Sequence, residues 1–102
     1  MKEIELKAWT AKDQDGKEVQ ETILNVISVI VNLSMSDLPK GLEQFRLFQR
    51  LTKAMEEAET TKVLKLEDKD YDVIKNLVEK NVPSQWAFQK PIVEAIEDFL
   101  SK

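Results

Sequence analysis

The chain has 102 residues, 42% of them hydrophobic and 33% charged, with 15 basic against 19 acidic side chains. This length suits a single domain over residues 1–102, because two separate cores would each be marginal, and Gly 2 with Pro 3 is too sparse for a low-complexity chain. With no cysteine and no histidine, disulfides, thiol nucleophiles, the commonest metal ligand and the usual neutral-pH general base are all excluded.

The net charge of −4 is spread evenly: residues 1–61 hold 11 acids and 8 bases, residues 62–102 hold 8 and 7. Nucleic-acid binders concentrate a basic surplus on one face, so no nucleic-acid partner is expected. The apolar-rich stretch Ile23–Leu33 is interrupted by Asn25, Ser28 and Asn32 and is too short to span a bilayer. The N-terminus lacks a signal-peptide apolar run. The expectation is a soluble cytoplasmic protein that does not engage a membrane.

Ile4, Leu6 and Ala8 alternate with charged residues, the period of a half-buried strand. Asp15-Gly16 signals a hairpin, with Glu18–Glu21 as a weakly apolar return strand. Thr22–Leu33 is rich in β-branched residues. Its polar residues Thr22, Asn25, Ser28 and Asn32 nevertheless recur every three or four positions, which draws one narrow stripe on a helix and fits no alternation. The spacing therefore predicts a central buried helix, with Thr22 as its N-cap.

Ser34–Lys40 reads as a connector, with Pro39 in the first turn of the next helix. Leu42, Phe45, Phe48, Leu51 and Met55 mark the apolar face of that helix, which is expected to run through about Ala58. Val63–Leu66 reads as a short strand extending the hairpin. Asp68 is expected to cap a third helix that buries Tyr71, Ile74, Leu77 and Val78, and Asn81–Ser84 breaks it. Pro91 opens a last helix carrying Ile92, Val93, Ile96, Phe99 and Leu100. The sum is an α+β fold, mostly helical: an N-terminal hairpin, of two strands or of three with Val63–Leu66, packed against about four helices. Its expected core is Leu6, Ile27, Ile30, Phe45, Phe48, Leu51, Ile74, Leu77, Ile96 and Phe99.

Sites for chemistry are few. Asp68, Asp70, Asp72 and Glu79 have the ligand spacing of an EF-hand loop. The hinge position is Val73, a β-branched residue unsuited to the sharp turn, so acids in a helix's first turn are the better account. On that reading no metal and no cofactor is required, and Asp70→Asn should barely change stability. The carboxylate groups Glu56–Glu57 and Glu94 with Glu97 and Asp98 read as solvated charge rather than catalytic pairs. No serine lies in a nucleophile-elbow setting, and two glycines cannot form a phosphate-cradling loop. No catalytic residue is assigned.

Binding candidates are more promising. Arg46, Arg50 and Lys53 fall on one side of the second helix, where they either hold an acidic partner or form a solvated face. Trp86 and Phe88 stand in a proline-flanked connector that is hard to pack fully, and partly open aromatics serve as interface anchors.

In layout the chain resembles small uncharacterised accessory proteins of tailed phages and prophages. The likeness lies in the Lys2–Lys7 strand, the Asp15–Gly16 turn, the apolar helix Thr22–Leu33 and the segment Val63–Tyr71. It implies a non-enzymatic role in virion assembly or in handling host machinery, located in the host cytoplasm or the virion. Both lines lead to a protein-interaction or assembly module, acting as a homo-oligomer or with a protein partner. The alternatives are an acidic inhibitor or regulator of a host nucleic-acid-handling protein, and a carboxylate hydrolase using a divalent metal. The apolar helix 22–33 points in nearly every direction, so it is either wrapped completely by its own chain or shared with another.

Overall fold

The alternation at the N-terminus forms β1 (Lys2–Glu5), which buries Ile4 and leaves Glu3 and Glu5 in water. The computed structural model describes all of residues 1–102. A hairpin forms about the Asp15-Gly16 turn with the expected return strand β3 (Glu18–Glu21), but its first arm is β2 (Trp9–Lys12) and not the Ile4–Ala8 alternation, and Trp9 stands opposite Glu21 in antiparallel register. Its turn is held by the Asp13 carboxylate, which accepts from the Asp15 and Lys17 amides at 2.9 Å each, while Gly16 takes φ +79°.

The Thr22–Leu33 segment is a helix, α1 (Ile23–Leu33), and Thr22 caps it by accepting the Leu24 amide at 3.2 Å. Its polar stripe faces out. Six apolar residues (Ile23, Leu24, Val26, Ile27, Ile30 and Val31) are buried within this one chain. The burial available to a helical stripe outweighed β-propensity here, as it commonly does. A short 3₁₀ turn, Met35–Asp37, and the exposed Pro39 follow. Pro39 stays in the connector, because α2 (Leu42–Thr61) starts only after Gly41 at φ +68°.

The face of α2 differs from the expectation. Leu47, Leu51 and Ala58 are buried, with Ala54 half-buried beside them, while Phe45 is 59% exposed and Phe48 half-buried. Spacings of four, three and four stay on one line of a helix, whereas a run of threes drifts by about 60° per step. The stripe Leu42–Phe45–Phe48 therefore turned away from the core that Leu47 and Leu51 enter. Leu6 is also only partly buried. The helix outlasts its expected end by three residues and closes at Lys62, which sits in the left-handed region and donates its amide to Ala58 O at 2.8 Å.

The strand Val63–Leu66, β4, pairs antiparallel with β1, setting Ile4 opposite Leu64. It does not extend the hairpin. Two two-stranded sheets result, β1–β4 and β2–β3, because the chain leaves the first ladder after Leu6, whose amide still reaches Lys62 O at 2.9 Å. The third helix, α3 (Asp68–Asn81), buries the four predicted residues Tyr71, Ile74, Leu77 and Val78. Glu67 rather than Asp68 holds the cap position, and Asp68 instead pairs with the N-terminal amino group at 3.1 Å. After a second 3₁₀ segment, Ser84–Phe88, α4 (Lys90–Leu100) buries Ile92, Ile96 and Phe99.

The architecture is α+β and mostly helical. Helix α1 is the hub, packed against α3 and α4, with α2 lying along β4. Tyr71 and Phe99 close the centre with rings 5.1 Å apart, and the Tyr71 hydroxyl donates to Phe99 O at 2.7 Å. No helix is long and apolar enough to cross a membrane.

Candidate functional site

Val82-Pro83 ends α3, and the chain turns through Ser84–Phe88 before α4 begins. Three successive backbone bonds hold that connector: Trp86 N to Pro83 O at 3.0 Å, Gln89 N to Trp86 O at 2.9 Å, and Ile92 N to Gln89 O at 3.0 Å. The path sends the two predicted aromatics in different directions. Trp86 folds back, half-buried against the core, while Phe88 is 91% exposed.

Between the connector, the C-terminal half of α3 and the outer side of α4 lies an apolar groove of about 390 Å³. Val78, Val82, Pro83, Trp86, Val93, Ile96 and Leu100 form most of its wall. Its size and apolar lining suit a bulky side chain more than a polar metabolite. Two carboxylates, Glu79 and Glu97, also line it, and neither forms an ion pair with any base of the chain. Sequence reasoning placed both glutamates in other groupings, as an EF-hand position and in a solvated group. Only the folding of α3 against α4 brings them to one groove.

The basic stripe divides. Arg50 lies nearest the core-facing line of α2 and reaches Asp70 in the first turn of α3 through two hydrogen bonds, Nε to Oδ2 at 2.8 Å and Nη2 to Oδ1 at 2.9 Å. The hydrogen bond from Arg50 to Asp70 pushes the guanidinium pKa further up, outweighing desolvation, with the Asp70 charge adding to it. Arg50 is therefore a brace between two helices. Arg46 and Lys53 stay exposed. Lys53 borders a smaller depression of about 280 Å³, where Arg50 and Lys65 mix with Glu57, Glu67 and Asp70. That mixture of signs offers no uniform field to an acidic ligand.

Asp68, Asp70 and Asp72 lie on a continuous helix, not a loop, and no three side chains of metal-ligating type converge anywhere. Asp70 is buried, 3% exposed, and both its oxygens are taken by Arg50. The expectation that Asp70→Asn would be silent is thereby reversed. Its signal was present in the sequence as an acid at α3's start and an arginine in α2, but nothing local linked residues twenty positions apart. No protein-family model matches the sequence, and no curated protein and no solved structure matches significantly.

Proposed function

We infer that this chain is a non-enzymatic protein-interaction module, docking through the groove walled by Trp86 and edged by Phe88. The observation that supports this reading is the pairing of an apolar groove of about 390 Å³ with a phenylalanine left 91% in water beside it. A large aromatic held in water costs free energy unless another surface covers it, and aromatic anchors beside pockets are the usual centres of interfaces. The wrapping of α1 reduces the other expected surface, since six of its apolar residues fill this chain's own core and only Val29 and Leu33 stay exposed. Such a module fits the accessory assembly role that the phage-protein resemblance implies. A residue set with no histidine or cysteine and no glycine loop offers little for catalysis.

The test is a photo-crosslinking side chain at position 88, introduced into the full chain and irradiated in extract of the cells that make it. Defined covalent adducts with protein, whether a second copy or another species, are expected. A chain that yields no adduct, while a control crosslinker on a buried face reacts internally, would sink the reading.

A further inference from the structure

Helix α4 carries its charges against its own dipole. It has no acid in its first turn and no base in its last; Lys90 stands at the start and Glu97 in the final turn. In α2 and α3 the first turns hold acids instead, Glu43 in one and Asp68 with Asp70 in the other. Charges so placed weaken an isolated helix. Asp98 in the same last turn is met inside the chain by Lys7 at 3.3 Å, so the charges that break the local rule without a close internal partner are Lys90 and Glu97, and that points to a use outside the chain. Lys90 has only a loose contact with Glu94, 3.9 Å away and well exposed, and Glu97 has no ionic partner.

Lys90, Val93 and Glu97 follow one another at spacings of three and four, so they lie along one stripe of α4 with about 10 Å between its charged ends. All three are exposed, and Val93 and Glu97 also line the groove. The stripe runs basic, apolar, acidic. A stripe in that order is complementary to itself when turned end for end.

We propose that a second copy of this chain covers this surface: two α4 helices cross antiparallel about a two-fold axis, each Lys90 meets the other copy's Glu97, and each Phe88 enters the other copy's groove. The register follows from the charges. With Lys90 opposite Glu97 of the second copy, Phe88, two residues ahead of Lys90, reaches the far end of the other α4, where Ile96 and Leu100 wall the groove. Phe88 directly follows Ala87, which lines the groove. Because each copy offers both the aromatic and the groove across the two-fold axis, the contact is isologous and closes as a dimer instead of propagating as a filament. This assignment rests on the docking reading above and names its occupant.

Sedimentation velocity on the full chain, from low micromolar to near-millimolar concentration, tests it. The unaltered protein is expected to dimerise. Phe88→Ala should weaken the dimer roughly a hundredfold, about tenfold for each of the two anchors lost, with an unchanged melting temperature at dilutions where the protein is monomeric. Lys90→Glu and Glu97→Lys should each weaken it alone through like-charge contacts. Both substitutions suit the helix dipole, so a fold defect would not explain their effect. An equimolar mixture of the two should restore association, since the mixed dimer sets opposite charges at both crossings. A dimer indifferent to Phe88→Ala, or a mixture no better than its components, would overturn the arrangement. A chain that stays monomeric throughout, yet forms a position-88 photoadduct with a different protein, overturns the second copy and leaves the docking reading intact. Neither self-association nor any adduct overturns both.

Discussion

Arg50 grips both oxygens of Asp70, at 2.8 and 2.9 Å, and so ties the middle of α2 to the first turn of α3. The parallel two-bond geometry is specific to a guanidinium and a carboxylate. The acid is buried and the arginine about a third exposed, so the bond matters chiefly as the partner of a carboxylate that would otherwise sit unpaired in the interior.

Asp70→Asn is therefore expected to destabilise the fold by about 1.5–3 kcal/mol, the range for a hydrogen bond to a charged group. Arg50→Leu should be at least as harmful, because it strands the carboxylate, while Arg50→Leu combined with Asp70→Leu should recover much of the loss. Urea unfolding of the four proteins measures this. Asp70→Asn within a few tenths of a kcal/mol of the unaltered chain would contradict it.

Tyr71 gives a pH dependence. Burial raises its pKa above the ordinary value of 10.0, since the ionised phenolate would lie out of water. The unfolded chain starts to lose this proton near pH 10 while the folded chain keeps it. Stability from this group is complete below that pH and declines as pH rises through the folded value. Tyr71 is the single tyrosine of the chain, so ultraviolet absorbance follows its titration without interference. Tyr71→Phe should cost about 1 kcal/mol at neutral pH through the lost bond to Phe99 O, and should flatten the alkaline decline. An equally steep decline in the variant would assign it elsewhere.

Ser34, at the end of α1, is 1% exposed and its hydroxyl has no partner. A buried hydroxyl without a hydrogen bond is a net cost. Ser34→Ala is expected to leave stability unchanged or raise it by up to about 1 kcal/mol, measured by thermal melting. A clear loss would show that the hydroxyl is satisfied in solution.

Lys62 closes α2 with φ +64°, a conformation that strains any residue with a Cβ. Lys62→Gly should stabilise by about 0.5–1 kcal/mol, because glycine is the natural residue at a left-handed helix end. A lower denaturation midpoint would show that the lysine side chain contributes more than the strain removes.

Trp86→Ala is a less clean probe of docking than Phe88→Ala. Trp86 packs against the core as well as lining the groove, so its truncation should lower the melting temperature along with any association. Phe88→Ala should leave the melting temperature of the dilute, monomeric protein unchanged. Melts of the two variants side by side check this, and equal losses would mean that Phe88 is not free in solution.

Residues close in sequence settled whatever depends on local periodicity. The stripe Thr22–Asn25–Ser28–Asn32 made α1 a helix against its β-branched composition, Thr22 capped it, Asp15-Gly16 turned the hairpin, and Tyr71, Ile74, Leu77 and Val78 identified the buried side of α3. These are contacts within one or two turns of backbone, where spacing alone fixes which side chains share a face. Tertiary structure decided what depends on position between elements. On α2 the apolar residues cover more than one face, and only packing against β4 chose Leu47 over Phe45. Strand β4 took β1 rather than the hairpin as its partner, Arg50 found Asp70 across two elements, and Glu79 and Glu97 met at one groove. Each of these joins residues far apart in the chain, and their pairing is set by the burial of the whole core and not by any local pattern.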